Sequence, residues 1–289
     1  MEYTIESDHL VVKIKAKGAE LFSIINKQTK FEYMWGAEPA WAKSSPILFP
    51  IVGTLKDNKY TYQNKTYSLP RHGFARDEMF AVEHQQNDSI VLLLTSSPTS
   101  LEKYPFHFEL RLTYQLTNDK VTLTYSVKNT GADQMYFSLG AHPAFKAPLN
   151  GALRYEDYYL QFSKAENTPR WPITKDGLID SKPTALLADT DRLALKHELF
   201  YEDALVLKKL SSDTISLKSD KDGHGLDFHF EGFPFLGLWA ARDANFICIE
   251  PWCGIADSVN HNQELTTKEG IEKISSKAFW SRSWSVRCY

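Results

Sequence analysis

The sequence predicts an all-β protein built as one large antiparallel β-sandwich, and three observations lead there. Alternation of apolar and polar residues with period two dominates the chain, helical periodicity is scarce, and no linker or shift in composition divides its 289 residues. HLVVKIKAK (9–17), SIVLLLTS (89–96), FELRLTYQL (108–116), KVTLTYSVKN (120–129), LDFHFEG (226–232) and FICIEPW (246–252) each read as a strand rich in β-branched and aromatic residues. Turn signals separate them: QND at 86–88, TND at 117–119 and NTG at 129–131. The segments 108–116 and 120–129, joined through Thr117-Asn118-Asp119, form the clearest hairpin. One short helix is expected around LKHELFYEDA, 195–204. Strand follows strand without the intervening helices of a βαβ protein, and no repeat of fixed period is present. The expectation is therefore a single domain spanning 1–289, with chemistry supplied by loops or by one sheet face.

Composition narrows the partners. Apolar residues make up 43% of the chain, as in a globular protein, and the net charge of -3 gives no electrostatic reason to expect nucleic acid. The longest apolar runs fall well short of the ~20 residues a membrane helix needs. The N-terminus, MEYTIESDHLVVKIKAKG, alternates and carries early acids, so it reads as part of the fold rather than as a signal peptide. Cys248, Cys253 and Cys288 are too few for a disulfide framework, which fits a reduced, cytoplasmic setting. Cys248 and Cys253 lack a second cysteine pair that would complete a zinc site.

Three segments carry residues suited to chemistry. In SLPRHGFARDEMF (68–80), His72 is flanked by Arg71 and Arg76, and Gly73 permits a tight turn. Arg76 and His72 have a simpler reading too, as partners of Asp77 and Glu78 on a solvated loop. In FSLGAHPAF (137–145), a strand continued through the segment puts Ser138, Gly140 and His142 on one face. Small side chains beside the imidazole then leave space for a ligand. Pro143 cannot donate to a sheet ladder and favours a strand end. In FLGLWAARDANFICIEPWCGIADS (235–258), alternation puts Phe246, Cys248 and Glu250 on one face and Ile247 and Ile249 on the other. A carboxylate among apolar neighbours is desolvated, which raises its pKa and makes it a better base near neutrality. Packing histidines and an edge-strand charge explain the same residues without chemistry.

Taken together, HGFAR, SLGAHPAF, DAL (203–205) and ICIEPWCGIAD resemble the aldose 1-epimerase (galactose mutarotase-like) family, and within it the LacX-like branch. The resemblance runs from GAEL (18–21) to EGI (269–271). It implies a large β-sandwich of the galactose mutarotase type and a reaction at the anomeric carbon of a sugar. It also implies roles: Glu250 as the base that takes the C1 hydroxyl proton, and His142 as the acid that protonates the ring oxygen. By the same resemblance His72, Arg76 and Asp203 hold the sugar. The family's galactose mutarotases carry an Asn-Arg pair ahead of the first histidine, where this chain has Gly53 and Thr54.

Acid/base exchange at a hemiacetal needs no electron transfer, so no cofactor and no metal are implied. The implied partner is a small-molecule sugar, either a free aldose or, because Arg71 and Arg76 could fork around phosphate oxygens, a hexose phosphate. Two other readings stay open. A catalytically silent sugar-binding or sugar-sensing sandwich would share everything but the need for a matched acid and base. A metal enzyme could use His72, His142 and Glu250 as a facial triad, although these residues lack close ligand spacing. Oligomeric state is not legible.

Overall fold

The structure, a computed structural model, describes residues 1–289. Its main body is a nine-stranded antiparallel sheet. In spatial order its strands are Thr184–Ala194, Tyr158–Arg170, Thr214–Ser219, Asp222–His229, Phe279–Cys288, Lys120–Asn129, Phe108–Thr117, Ser89–Thr95 and Ala81–Gln85. The predicted hairpin is its centre. Phe108–Thr117 and Lys120–Asn129 pair over ten residues from Phe108↔Asn129 to Thr117↔Lys120, so the turn tightens to Asn118-Asp119. Asn118 takes a φ of 55°, which an asparagine tolerates better than most residues. Burial alternates along both strands, as the polar/apolar alternation requires.

A second sheet supports the site. Leu139–Gly140, Phe246–Cys253, Phe235–Trp239 and Leu205–Lys208 lie side by side, and Ala144–Lys146 also pairs with Phe246–Cys253. All eight residues of Phe246–Cys253 are buried, so both faces of this strand are covered. The two sheets meet through aromatic contacts such as Phe145 on Phe228, edge-on with ring centroids 5.8 Å apart. Between them lies a contiguous core of 70 buried residues. This is the antiparallel β-sandwich the alternation predicts.

Helix content differs from the expectation in place rather than amount. The segment 195–204 forms only a single 3-10 turn, His197–Phe200. The one α-helix is Pro98–Lys103, started by Ser97, whose hydroxyl accepts from the Ser100 backbone while the Ser100 hydroxyl accepts from the Ser97 backbone. Six residues are too few to display a helical period, and the serine-proline start is the only local signal.

One position in the second sheet controls the floor of the site. Gly237 pairs with Glu250 on one side and Val206 on the other. A Cβ at Gly237 would run into Cζ2 and Cη2 of the Trp252 indole, which occupies the space over it. Gly237→Ala is therefore expected to lower stability by about 1–3 kcal/mol, the usual cost of overpacking a rigid buried site. Urea unfolding followed by tryptophan fluorescence reads this, and an unchanged midpoint would show that the indole is free to move.

Candidate active site

His142 faces Glu250 because of strand register. The two pieces of strand flanking His142 pair with one continuous partner: Gly140↔Trp252 on one side and Ala144↔Cys248 on the other. Three residues separate the pairs on each strand, so His142 stands opposite Glu250. The Ala141 N–H donates to the Pro251 carbonyl (3.1 Å) and the Ile249 N–H to the Pro143 carbonyl (3.2 Å), which frames His142 and Glu250 as a non-hydrogen-bonded pair, the kind whose side chains lie closest. The reciprocal bonds would need N–H groups on Pro251 and Pro143, which proline lacks. The strand pattern therefore stops at Gly140 and resumes at Ala144 while the register is kept. The expected continuous strand through His142 is corrected to this interrupted one.

Alternation still places Ser138, Gly140 and His142 toward one face, but the space beside His142 is not left for a ligand. A Cβ at Gly140 would lie 2.6 Å from Cδ1 of Trp252, so the indole fills that gap. Ser138 likewise packs against Gly254. Small residues here face large or tightly packed partners across the ladder.

The pair itself is dry and close. Nε2 of His142 lies 3.3 Å from Oε2 of Glu250, and the two residues are 9% and 1% exposed. His142 Nδ1 and Glu250 Oε2 have no hydrogen-bond partner. Burial pushes the Glu250 carboxyl well above the usual carboxylate range, opposed by the positive charge of Arg71. Burial also pushes His142 well below an ordinary histidine, and Arg71 adds to that. Desolvation thus favours the neutral forms of both, with the pair's single proton on the carboxyl. The imidazole is fixed by Trp41 stacked at 4.9 Å and by Trp239 edge-on at 5.6 Å.

His72 closes a third side, with its ring 5.8 Å from that of His142. Its backbone has a φ of 69°, a left-handed conformation that costs a non-glycine residue about 1–3 kcal/mol. Two hydrogen bonds to Gly53 hold it there: the His72 N–H donates to the Gly53 carbonyl (2.9 Å), and the Gly53 N–H donates to Nδ1 (3.1 Å). Burial, with the neighbouring His142, keeps the ring neutral. With Nδ1 accepting, its proton sits on Nε2. The Arg71 Nε–H is directed at that same nitrogen at 3.3 Å, so it competes with the Gly53 N–H for the one acceptor a neutral imidazole offers.

Asp203 and the two arginines complete the polar rim. Arg71 Nη2 lies 3.4 Å from Asp203 Oδ1, which also accepts from the Ala204 N–H. Arg76 Nη2 donates to the Arg71 carbonyl at 2.8 Å, and its Nε is 3.8 Å from Asp77. Each arginine thus spends one Nη2 donor on a protein acceptor, and the buried Nε of Arg76 has no hydrogen-bond partner. Glu250, His142, His72, Arg76 and Asp203 all line one cavity of about 330 Å³.

Donor atoms of His142, Cys248 and Glu250 lie within 4.8 Å of one another. This grouping differs from the triad of His72, His142 and Glu250 considered from sequence, because His72 Nδ1 is committed to Gly53. Burial pushes the Cys248 thiol well above its ordinary range and holds it protonated. All three cysteines are free and buried.

Sequence reasoning missed the tryptophans and the apolar side. Trp41, Trp239 and Trp252 line the cavity, as do Ile173 and Ile179 from the irregular segment 171–180. Asp257 ties that segment in place. Its carbonyl accepts from the Ile179 N–H (2.8 Å), its N–H donates to the Thr54 carbonyl (2.9 Å), and Oδ2 accepts from the Lys56 N–H (2.9 Å). Oδ1 pairs with Lys268 Nζ at 2.8 Å, and both residues are 2% exposed.

Comparison with known proteins places this geometry. The family model described as Aldose 1-epimerase matches residues 1–271. The chain is 34% identical over 285 residues to Protein LacX (plasmid) of Lactococcus lactis, with 95% of each covered. It is similar to the structure of a galactose mutarotase related enzyme from Lactobacillus acidophilus, with a TM-score of 0.95, 36% identity, and 100% and 97% of the two chains covered. A galactose mutarotase-like protein from Lactobacillus casei matches with a TM-score of 0.94 and 29% identity over 100% of both chains.

The buried Asp257–Lys268 pair gives a test of how the loops are held. Lys268→Met leaves Asp257 charged without its counter-ion, and the expected loss is about 3–5 kcal/mol of unfolding free energy. Urea denaturation measures it. A loss below about 1 kcal/mol would show the pair behaving like a solvated one.

Proposed function

Because the chain belongs to the aldose 1-epimerase family, we propose that it interconverts the α and β anomers of an aldose by acid/base ring opening and closure. The observation that carries this reading is the opposed His142–Glu250 pair, 3.3 Å apart and buried on the wall of a sugar-sized cavity. A binding protein has no use for a desolvated acid and base held side by side with polar atoms left unpartnered.

The reaction conserves protons within the pair. Glu250 takes the proton of the C1 hydroxyl as His142 delivers one to the ring oxygen, and the C1–O5 bond breaks to give the open-chain aldehyde. Rotation about C1–C2 presents the other face of the carbonyl. The O5 hydroxyl then attacks C1, returns its proton to His142, and the new C1 oxygen takes a proton from Glu250. Desolvation keeps the resting proton on Glu250, so the working form requires its transfer to His142 across the 3.3 Å contact. A C1 hydroxyl donating to the carboxylate favours that transfer, while the charge of Arg71 favours the carboxylate and disfavours the imidazolium. Nε2–H of His72 and the Arg71 guanidinium supply donors to a sugar oxygen. Asp203 accepts from a sugar hydroxyl, and Arg76 holds the Arg71 backbone in place.

Two expectations follow for the kinetics, read by polarimetry or NMR exchange on freshly dissolved anomers. Glu250→Gln and His142→Asn should each lower kcat by at least about 10²-fold, the lower end of an acid/base contribution, with far smaller changes in sugar binding. Retention of near-wild-type turnover by Glu250→Gln would leave a carbohydrate-binding protein instead. The pH profile of kcat/KM should show a plateau across neutrality, since activity needs one proton on the pair. It should fall on the acid side below an ordinary histidine, where the depressed His142 gains a second proton. On the alkaline side it should fall well above an ordinary carboxyl, where the elevated Glu250 loses the only one. A single acid limb near 4.5 would contradict the paired arrangement.

A further inference from the structure

The cavity has two chemically different ends. All of its ionisable side chains belong to the acid/base end: Arg71, His72, Arg76, His142, Asp203 and Glu250. The remainder is built from one contiguous apolar cluster that includes Val52, Ile179, Val206, Trp252 and Ala256, with Ile173 packed against it. Sheet register sets the distance between the ends. Glu250 pairs with Gly237 and Gly237 with Val206, so Val206 lies two strand spacings, about 10 Å, from Glu250. The Trp252 indole covers Gly237 between them and forms an aromatic floor.

The far wall is fixed rather than a flap. Trp171 bridges to Val206, Ile173 bridges to Ile179, and Ile179 bridges to Ser258. Gly177 closes against Thr54, where a Cβ would lie 2.5 Å from the threonine hydroxyl, so that hydroxyl is covered by backbone. The Ile179 N–H is taken by Asp257, and the Ile179 carbonyl accepts from the Val259 N–H. The isoleucines line the cavity with their side chains, and the backbone polar groups of Ile179 are already satisfied.

A pyranose with C1 at Glu250 and its ring oxygen at the histidines turns the C3–C4 edge away from the pair, toward this wall. A hydroxyl buried there loses water and finds no side-chain partner among Val52, Ile173, Ile179 and Val206. We propose that the site selects an aldose that is apolar on the edge remote from C1, a deoxyaldose carrying hydrogen or methyl where common hexoses carry a hydroxyl. The inference rests on the acid/base reading for the orientation of the sugar.

Binding and anomer exchange test the two separately. Dissociation constants for the wild-type protein, measured by calorimetry with 3-deoxy, 4-deoxy and 6-deoxy hexoses against their parent sugars, report on the wall. At least one deoxy sugar should bind about 10- to 100-fold more tightly than its parent, the range over which an apolar pocket discriminates against an added hydroxyl. Ile179→Thr, which replaces the ethyl branch of the side chain by a hydroxyl, should reduce that ratio about 10-fold. A ratio of two sugars on one protein does not depend on how much of the variant is folded. Parent sugars that bind as well as or better than every deoxy analogue would overturn the inference, as would a ratio unchanged by Ile179→Thr. Tight binding of a deoxy sugar without exchange of its anomers would uphold the wall and overturn the catalytic reading.

Discussion

Everything at the site depends on one cross-strand pair whose ladder is broken by proline from both sides. His142 and Glu250 oppose each other because the segments around them keep equal spacing against Phe246–Cys253. Pro143 and Pro251 each delete one of the four backbone bonds that would have framed the pair. What remains is enough to hold the register and too little to be ordinary sheet. A one-residue slip would turn His142 away from Glu250 and exchange the side chains packed on the two covered faces of a fully buried strand, so the fold itself enforces the alignment. Geometry of this kind places functional side chains on rigid elements rather than on loops.

Burial then turns a structural pair into a chemical one. An ionised carboxylate in water holds its proton weakly, and an exposed imidazole is partly charged near neutrality. Taken out of water together, the carboxyl rises and the imidazole falls, so the pair rests with its one proton on the carboxyl and both partners neutral. The surrounding aromatics reduce the pair's contact with water: Trp41 and Trp239 cover His142, and Trp252 fills the gaps left by Gly140 and Gly237. The glycines are the counterpart of the tryptophan. Without them the indole could not lie flat against the sheet beside Glu250.

The fold class was legible because alternation is a local property, and the hairpin at 108–129 needed only its own residues to be read. The facing of Cys248 and Glu250 on one side of their strand was legible for the same reason. The occupant of the space beside His142 was not, because it depends on a partner strand about a hundred residues away in sequence, which no local pattern reports. Nor was the segment 171–180, whose isoleucines show neither period and are placed by single bridges and by Asp257. The six-residue helix at Pro98–Lys103 was hidden by its brevity. His72 shows the mixed case. Its histidine-glycine turn was visible, while its left-handed backbone and its tautomer are set by Gly53, nineteen residues earlier.

Gly53 and Thr54 tie these threads together. Both act mainly through their main chains and through close packing. Gly53 uses its backbone to orient His72, leaving Nε2–H toward the cavity. Thr54 packs its side chain against Gly177 and accepts the Asp257 N–H at its carbonyl, which closes the far wall. The same two residues thus complete the acid/base end through a main-chain bond and the apolar end through contact. The chemistry of the pair and the polarity of the wall are therefore separable. The first is fixed by sheet register around His142 and Glu250, and the second by which side chains the segment 171–180 lays over Val206 and Trp252.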